Sequence, residues 1–238
     1  MAQVHREIIV KASDQNIKCP DILLTCSILL QDIIMYGKET CEPIILPSFI
    51  NTKLLEVISQ LLEARLSLKQ NLLLLSLSYM LELYKTADFF RIDLICDNIE
   101  SCFQNRLCEN TCFDIYKMLK DNAFLCYISD NALCFISKEI EEHYESDKKS
   151  LTAVDKFTKQ YIKFPISDVK RLIQTFTKSA ILSQIACFKH WFYANKENVI
   201  AEEVLDILQI INCNACYLPK SKIILMRSIR DNILNDLK

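Results

Sequence analysis

One glycine, Gly37, stands in this chain of 238 residues, and that scarcity excludes several folds and functions. Loops that cradle phosphate groups and turns that bind dinucleotides need several glycines at fixed spacing, because only glycine lets the backbone approach a phosphate closely. Propeller blades built on glycine doublets are excluded for the same reason. Nucleotide-binding loops and propellers of these kinds cannot form from this sequence.

The charge balance argues against a nucleic-acid partner. Half of the residues are hydrophobic (51%), and 28 basic residues stand against 30 acidic ones, for a formal net charge of −2. This soluble, globular composition has no basic excess that would hold a phosphate backbone. At this length the chain suits one large domain or two of ordinary size.

No targeting segment is expected. Residues 1–15 lack an apolar core that ends in a small-residue cleavage site, so they do not predict a signal peptide. The most apolar run, NLLLLSLSYML at 71–81, is well short of the ~20 residues that a membrane helix needs, and it predicts a buried helix. We therefore expect a cytoplasmic protein, or a nuclear one, with no membrane partner.

The cysteines predict packing rather than chemistry. Twelve are spread singly along apolar stripes, which is typical of reduced core cysteines in a cytosolic or nuclear protein. Cys213 and Cys216 form the one CxxC pair, but a structural zinc takes four ligands, and none of the three histidines stands at ligand spacing to the pair. No metal and no cofactor are therefore expected.

One pair of residues has the side chains that nucleophilic catalysis uses. Cys187 and His190 stand at i and i+3 of a predicted helix, so a thiolate–imidazole pair is geometrically possible. The pattern supplies neither an orienting third group nor an oxyanion hole, and the neighbouring Trp191 and Phe192 favour packing. A non-enzymatic protein is the preferred interpretation. A cysteine-dependent enzyme that uses this pair or the CxxC pair is the remote alternative.

The first fifty residues predict short strands around one buried helix. Strands are expected at 6–13, 17–20 and 43–47. The apolar segment 21–35 is expected to form a single, largely buried helix. Thr52 is predicted to be the N-cap of the next helix, KLLEVISQLLEARL.

From Leu72 onward the sequence predicts helices alone. A break is expected at 90–93, and Ser129 or Asp130 is expected to cap the helix NALCFISKEIEEHY. Apolar residues recur at helical spacing, which predicts one buried face for each helix. These predicted core residues are Cys112, Ile115, Tyr116, Leu119, Leu133, Ile136, Ile140, Val169, Leu172, Ile173, Phe176, Ile181, Ile185, Phe188, Phe192, Val204, Ile207, Leu208 and Ile211. The predicted fold class is α+β and mostly α.

The order of these elements resembles the BTB/POZ fold. The segment IKCPDILLTCSILLQDIIM is similar to the family's second strand and first core helix, and EPIILPSFINTKLLEVISQLLEARLSL is similar to its third strand and the next helix. In LELYKTADFFRIDLICDNIESCFQNRL, Ala87-Asp88 and Cys96 match a family pattern in which an alanine-aspartate pair and a break precede a cysteine-bearing helix. The same half is also similar to the F-box-binding adaptor of cullin–RING ligases.

The second half resembles a BACK domain. ENTCFDIYKMLKDNAFLCYISDNALCFISKEIEEH is similar to its opening helix pair, and residues 164–223 are similar to its core, including a leucine-proline step at Leu218-Pro219. The resemblance implies a BTB/POZ domain (small sheet plus helices) at 1–108 and an all-helical BACK-like domain at 109–238. The kelch propeller that many members carry has no counterpart in this chain.

The resemblance implies a non-enzymatic adaptor. Such proteins bind the N-terminal domain of a cullin and recruit substrates to a cullin–RING E3 ubiquitin ligase, or compete for those substrates. Short chains of this kind also resemble proteins of large DNA viruses. For a viral protein, the resemblance implies competition with the adaptors of the host, which is a host–virus interaction. Because the chain starts close to its first strand, the usual BTB dimer is not expected. The alternative is a BTB-type protein-interaction scaffold that has no link to cullin.

The same resemblance places the cullin-binding surface in two segments that should converge, the loop MYGKE and the junction from Phe89 to Lys117. In the loop, Tyr36 offers an aromatic anchor and Glu39 a charge. Charged side chains at the helix break and off the following apolar stripe are expected to face solvent. The predicted surface consists of Tyr36, Glu39, Phe89, Arg91, Asp93, Asp114 and Lys117.

Overall fold

The computed structural model of the protein describes residues 8–36, 43–145, 157–214 and 220–237. The described chain is mostly helical with one small sheet, so the predicted fold class, α+β and mostly α, is confirmed. Two compact units are present, unit 1 (Met1–Arg106) and unit 2 (Leu107–Lys238). The division lies close to the domain boundary that the sequence predicts after residue 108.

Unit 1 begins with a three-stranded sheet of order β2-β1-β3. Strand β1 (Ile9–Lys11) pairs antiparallel with β2 (Asn16–Lys18) and parallel with β3 (Ile44–Ile45). A hydrogen bond from the Ala12 amide to the Gln15 carbonyl (3.0 Å) closes the turn between the first two strands. A parallel pair needs a crossover connection, and the helices between β2 and β3 provide it. Each strand is shorter than its predicted stretch.

Two helices replace the single helix predicted at 21–35, so that prediction is wrong. Helix α1 spans Asp21–Cys26 and α2 spans Ile28–Tyr36. Ser27 between them has an extended backbone (φ −89°, ψ 118°). Each helix buries one residue, Leu23 in α1 and Leu30 in α2, so the pair is more exposed than the apolar composition predicts.

The further helices of unit 1 are α3 (Thr52–Glu63), α4 (Leu68–Leu73), α5 (Leu77–Phe89) and α6 (Asp93–Asn105), with a 3-10 turn at Arg65–Ser67. The predicted break at 90–93 is confirmed. The predicted N-cap Thr52 is wrong, because Thr52 is the first residue of α3. The cap is Asn51, whose side-chain oxygen accepts the Leu54 amide hydrogen (2.9 Å).

The run at 71–81 is not one buried helix, so this prediction is also wrong. The chain is non-helical between α4 and α5, and Leu74 in this break is 85% exposed. The Arg106 guanidinium donates hydrogen bonds to the carbonyl oxygens of Leu72, Leu73 and Leu75. Arg106, which follows α6, thus provides hydrogen-bond donors for carbonyl groups at and after the end of α4, where a helix leaves its last carbonyls without helical partners.

Unit 2 is helical in its described part. Its helices are α7 (Cys112–Leu119), α8 (Cys126–Glu145), α9 (Ile166–Thr175), α10 (Ile181–Asn195), α11 (Ala201–Asn214) and α12 (Lys220–Asp236), with short helical turns at 157–161 and Lys196–Asn198. The predicted caps Ser129 and Asp130 are wrong, because both lie inside α8. Asn122 precedes that helix, and its side-chain oxygen accepts the amide hydrogens of Phe124 and Leu125 (both 3.0 Å).

The predicted core of unit 2 is confirmed, because every residue of the predicted apolar stripes is buried. Two polar side chains inside this core have partners, whereas the buried Tyr116 hydroxyl has no hydrogen-bond partner within the described residues. The Trp191 indole donates to the Phe164 carbonyl (2.8 Å), and the buried Asp168 carboxylate lies 2.8 Å from the Lys120 ammonium. Such pairing offsets part of the cost of removing these groups from water. None of the helices in the described ranges is long and apolar enough to cross a membrane.

Candidate protein-binding surface

The break between α1 and α2 is tied to the break between α5 and α6. Ser27 lies in the first break and is fully buried, and its hydroxyl donates a hydrogen bond to the Phe90 carbonyl in the second (2.7 Å). The same oxygen accepts the Leu30 amide hydrogen (3.1 Å), as the side chain of an N-cap does. One hydroxyl therefore starts α2 and also holds it against the end of α5.

The end of α5 is a Schellman motif with an arginine at the position where glycine is usual. The Ile92 amide donates to the Ala87 carbonyl and the Arg91 amide donates to the Asp88 carbonyl, both at 2.9 Å. Arg91 has a left-handed backbone conformation (φ 52°), which is unfavourable for a residue with a Cβ atom. Ile92 and Ala87 are both buried, at the two positions where an apolar contact often accompanies the motif.

The Arg91 side chain reaches α2. Its guanidinium lies 3.6 Å from the Asp32 carboxylate, and the two side chains are 61% and 44% exposed. A pair this exposed stabilises a fold by roughly 0–1 kcal/mol, because water and salt screen it. Residues kept in costly backbone conformations concentrate at functional sites. Arg91 is therefore a candidate for a role other than stability.

One face of α2 is largely apolar and exposed. Ile28, Asp32, Met35 and Tyr36 stand at i, i+4, i+7 and i+8, which places them on one side of the helix. Met35 is 67% exposed and Tyr36 is 81% exposed, and contiguous exposure of this kind marks interaction sites. With Arg91 these four residues form what we call the α2–Arg91 surface.

The residues predicted for cullin binding are distributed over both units. In unit 1, Tyr36 and Arg91 belong to the α2–Arg91 surface, and Asp93 is exposed in the first turn of α6. Phe89 is half-buried, with its ring edge against Phe90 at a centroid distance of 5.2 Å. Glu39 lies outside the described residues.

In unit 2, Asp114 and Lys117 are exposed on α7, off its buried stripe.

Sequence reasoning missed three residues of the α2–Arg91 surface, Ile28, Asp32 and Met35. They are missed because the whole segment 21–35 is interpreted as a buried helix. A search at helical spacing restricted to the second half of that segment would have grouped them with Tyr36.

The Cys187–His190 pair includes a third residue that the sequence does not reveal. The Tyr161 hydroxyl lies 3.3 Å from His190 Nδ1 and also hydrogen-bonds the Cys187 thiol. Cys187 and Tyr161 are buried, and burial raises the pKa of the Cys187 thiol to about 12. Because the thiolate is the nucleophilic form, a thiol that stays protonated at neutral pH is inert. The geometry is that of a packed interior cluster.

The remaining cysteines bear on metal binding and on packing. Cys213 is exposed near the end of α11, and Cys216 lies outside the described residues. Within the described ranges, no group of three or more His, Cys, Asp or Glu side chains is arranged to hold a metal ion. None of the ten described cysteines forms a disulfide, and five of them are buried. The prediction that the cysteines lie in the core is wrong for Cys108, Cys126, Cys134 and Cys213, which are exposed.

Comparison of the chain with protein-family models, with curated proteins and with solved structures found no match. A function for this protein accordingly rests on its own residues and their geometry.

Proposed function

We propose that the chain is a non-enzymatic adaptor of the BTB–BACK type, which binds the N-terminal domain of a cullin and recruits, or competes for, substrates of a cullin–RING ubiquitin ligase. The element order of unit 1 supports this proposal. Two strands, a helical segment, a third strand and then further helices follow one another, as the resemblance to the family implies, although the helical segment is broken at Ser27 where the resemblance implies a single helix. The helices of unit 2 are compatible with a BACK-like domain.

The observation that carries the proposal is the α2–Arg91 surface. It joins an exposed tyrosine, an exposed methionine and an arginine, which are residue types enriched at the centres of protein interfaces. Asp32 and the nearby Asp93 add charge at its edge. An apolar centre with a charged rim is the usual anatomy of an interface between proteins.

The α2–Arg91 surface is formed before a partner arrives. The hydrogen bond from Ser27 to Phe90 fixes the start of α2, and the Schellman motif fixes the backbone of Arg91. A preformed surface loses less conformational entropy on binding than a flexible one, so more of the contact energy appears as affinity. Glu39, Asp114 and Lys117 stay predicted contributors to this contact. A change of Glu39 to Lys should slow association with the cullin.

Binding of the full chain to the N-terminal domain of a cullin of the BTB-specific class tests the proposal. Replacement of Tyr36 by Ala should weaken binding by about 1–3 kcal/mol, because an aromatic anchor loses its contacts in the interface. Phe49→Ala is a matched control, since Phe49 is an exposed aromatic residue of unit 1 that does not belong to the surface. Isothermal titration calorimetry gives both affinities.

Both variants must melt at the temperature of the parent protein, so that a loss of binding does not report unfolding. An unchanged affinity of the Tyr36 variant would exclude the α2–Arg91 surface as the contact. If the unmutated chain does not bind the cullin domain at all, the alternative of a protein-interaction scaffold without a cullin partner replaces the proposal.

A further inference from the structure

A second surface feature of unit 1 lies outside the α2–Arg91 surface. It is a cleft of about 560 Å³ lined by residues of α3, α4, α5 and the break between the last two. Val57, Leu61 and Leu75 provide most of its apolar lining, and Lys53, Gln60 and Tyr79 contribute polar groups. An apolar cleft of this size with a few polar groups is typical of a binding site.

Asn71 also lines the cleft, but its side chain already donates to the Ser67 hydroxyl (3.2 Å), whereas the other three polar groups of the lining have no such partner in the described chain. Lys53 and Gln60 are exposed, and neither side chain has an ion-pair or hydrogen-bond partner within the described ranges. The Tyr79 hydroxyl is buried and also lacks a hydrogen-bond partner there. The exposed Lys53 and Gln60 side chains can each donate a hydrogen bond to a ligand, and Lys53 carries the one charge in the described lining. These donors favour an anionic acceptor, above all a carboxylate.

Two exposed leucines stand close in the sequence to residues of the lining. The segment from Ala64 to Leu75 contributes residues to the lining. Within this segment, Leu66 and Leu74 are the most exposed of the large apolar side chains in the described chain. Exposed apolar side chains of this size provide area that a bound partner can cover.

We propose that this cleft binds an amphipathic α-helix of a partner protein, with apolar side chains in the cleft and an acidic side chain next to Lys53. The described lining comes from helices and their connection and contains no strand, so an extended peptide has no sheet edge to extend. A helix, by contrast, can lay its apolar face into a groove of this kind. Complementarity with the free Lys53 charge selects acidic helices over basic ones.

The biological role of this site rests on the proposed function, because an adaptor has to hold two partners. The α2–Arg91 surface would contact the cullin and the cleft would hold the recruited protein. Since the two sites share no residue, a variant of one can be tested for binding at the other.

Selection from a displayed peptide library on the full chain tests the site. The library consists of helices of about 18 residues, long enough to be helical when bound, with leucines at i, i+4 and i+7 and with Glu, Gln or Lys at the flanking positions. We expect Glu to be enriched at the flanks. A labelled selected peptide should bind Lys53→Glu at least about tenfold more weakly than the parent, as measured by fluorescence anisotropy.

Lys69→Glu is the matched control, because Lys69 is an exposed lysine of α4 that does not line the cleft. Its affinity for the peptide should stay within about twofold of the parent value. Gln60→Glu is a second variant of the lining and should also weaken binding, since it adds a like charge beside the acidic peptide. Circular dichroism checks that each variant melts as the parent does.

Three results would overturn the proposal: no enriched peptide, enrichment of Lys at the flanks, or equal losses in Lys53→Glu and Lys69→Glu. Loss of peptide binding in Tyr36→Ala would overturn it as well, because that variant leaves the cleft intact. Cullin binding is titrated with the same proteins. If the unmutated chain binds the peptide but not the cullin domain, the proposed function is refuted and the peptide site is not. If it binds the cullin domain but not the peptide, the peptide site is refuted and the proposed function is not.

Discussion

Arg91 is, among the described residues, the one non-glycine residue with a positive φ. This conformation costs a residue with a Cβ atom roughly 1–2 kcal/mol, and the exposed pair with Asp32 returns little of that cost. Replacement of Arg91 by Gly should therefore raise the free energy of unfolding by up to about 1 kcal/mol, because the greater conformational entropy of glycine in the unfolded chain offsets part of the relieved strain. The same replacement removes the guanidinium, so it should also weaken cullin binding. Urea denaturation and calorimetric titration measure the two effects.

Arg91→Ala is the control for that prediction. It removes the same guanidinium but keeps the Cβ atom, so it should weaken cullin binding without raising stability. If Arg91→Gly proves no more stable than Arg91→Ala, the left-handed backbone is not a source of strain in this turn.

Asp14, in the turn between β1 and β2, holds the start of α3. Its carboxylate accepts hydrogen bonds from the Thr52 hydroxyl and from the Thr52 amide (3.0 Å). The hydroxyl bond is the main cause that lowers the pKa of Asp14 below its ordinary value, and the amide bond adds to it. Because the folded pKa is the lower one, the stabilisation is complete above about pH 4 and is lost as the pH falls through the folded pKa.

Asp14→Asn should therefore flatten the dependence of melting temperature on pH below about pH 4, because the amide does not titrate. Thermal melts of the parent and the variant between about pH 7 and pH 2 measure this difference. A variant that loses as much stability on acidification as the parent would show that Asp14 does not carry this pH dependence.

At the scale of elements, the position of α2 depends on Ser27. Ser27→Ala leaves the Leu30 amide and the Phe90 carbonyl without this partner in a buried site, and it should cost about 1–3 kcal/mol of unfolding free energy. Ser59→Ala is the control, since the buried Ser59 hydroxyl donates to the Leu55 carbonyl of its own helix (2.7 Å). That change should cost less, and equal losses in chemical denaturation would contradict a special role for Ser27.

At the scale of the whole molecule, none of the described cysteines forms a disulfide. Burial is the main cause that raises the pKa of Cys19, Cys96 and Cys112 to about 12, so these thiols are protonated at neutral pH. Reductant and chelator should therefore leave the melting temperature unchanged. A drop of more than about 4 °C with either reagent, roughly 1 kcal/mol for a chain of this length, would reveal a disulfide or a metal site.

The sequence by itself determined the helical character of unit 2, the buried faces of α7 to α11 and the break at 90–93. The spacing of apolar residues along a helix is a local property, and each amphipathic helix has to bury one face whatever packs against it. The scarcity of glycine likewise excludes glycine-rich loops without any knowledge of the fold. Of the predicted binding residues, Tyr36, Arg91 and Asp93 are exposed in unit 1, and their role in cullin binding stays a prediction.

Only the tertiary structure decided where the two most apolar runs break. The Ser27 hydroxyl bonds to Phe90, 63 positions along the chain, and the Arg106 guanidinium bonds to the Leu75 carbonyl, 31 positions away. Contacts over such separations leave no periodic trace in the sequence, because the partners meet only when the chain folds. The exposed face of α2 follows from the first of these bonds. The α2–Arg91 surface is therefore a product of the tertiary structure, although each of its residues can be read in the sequence.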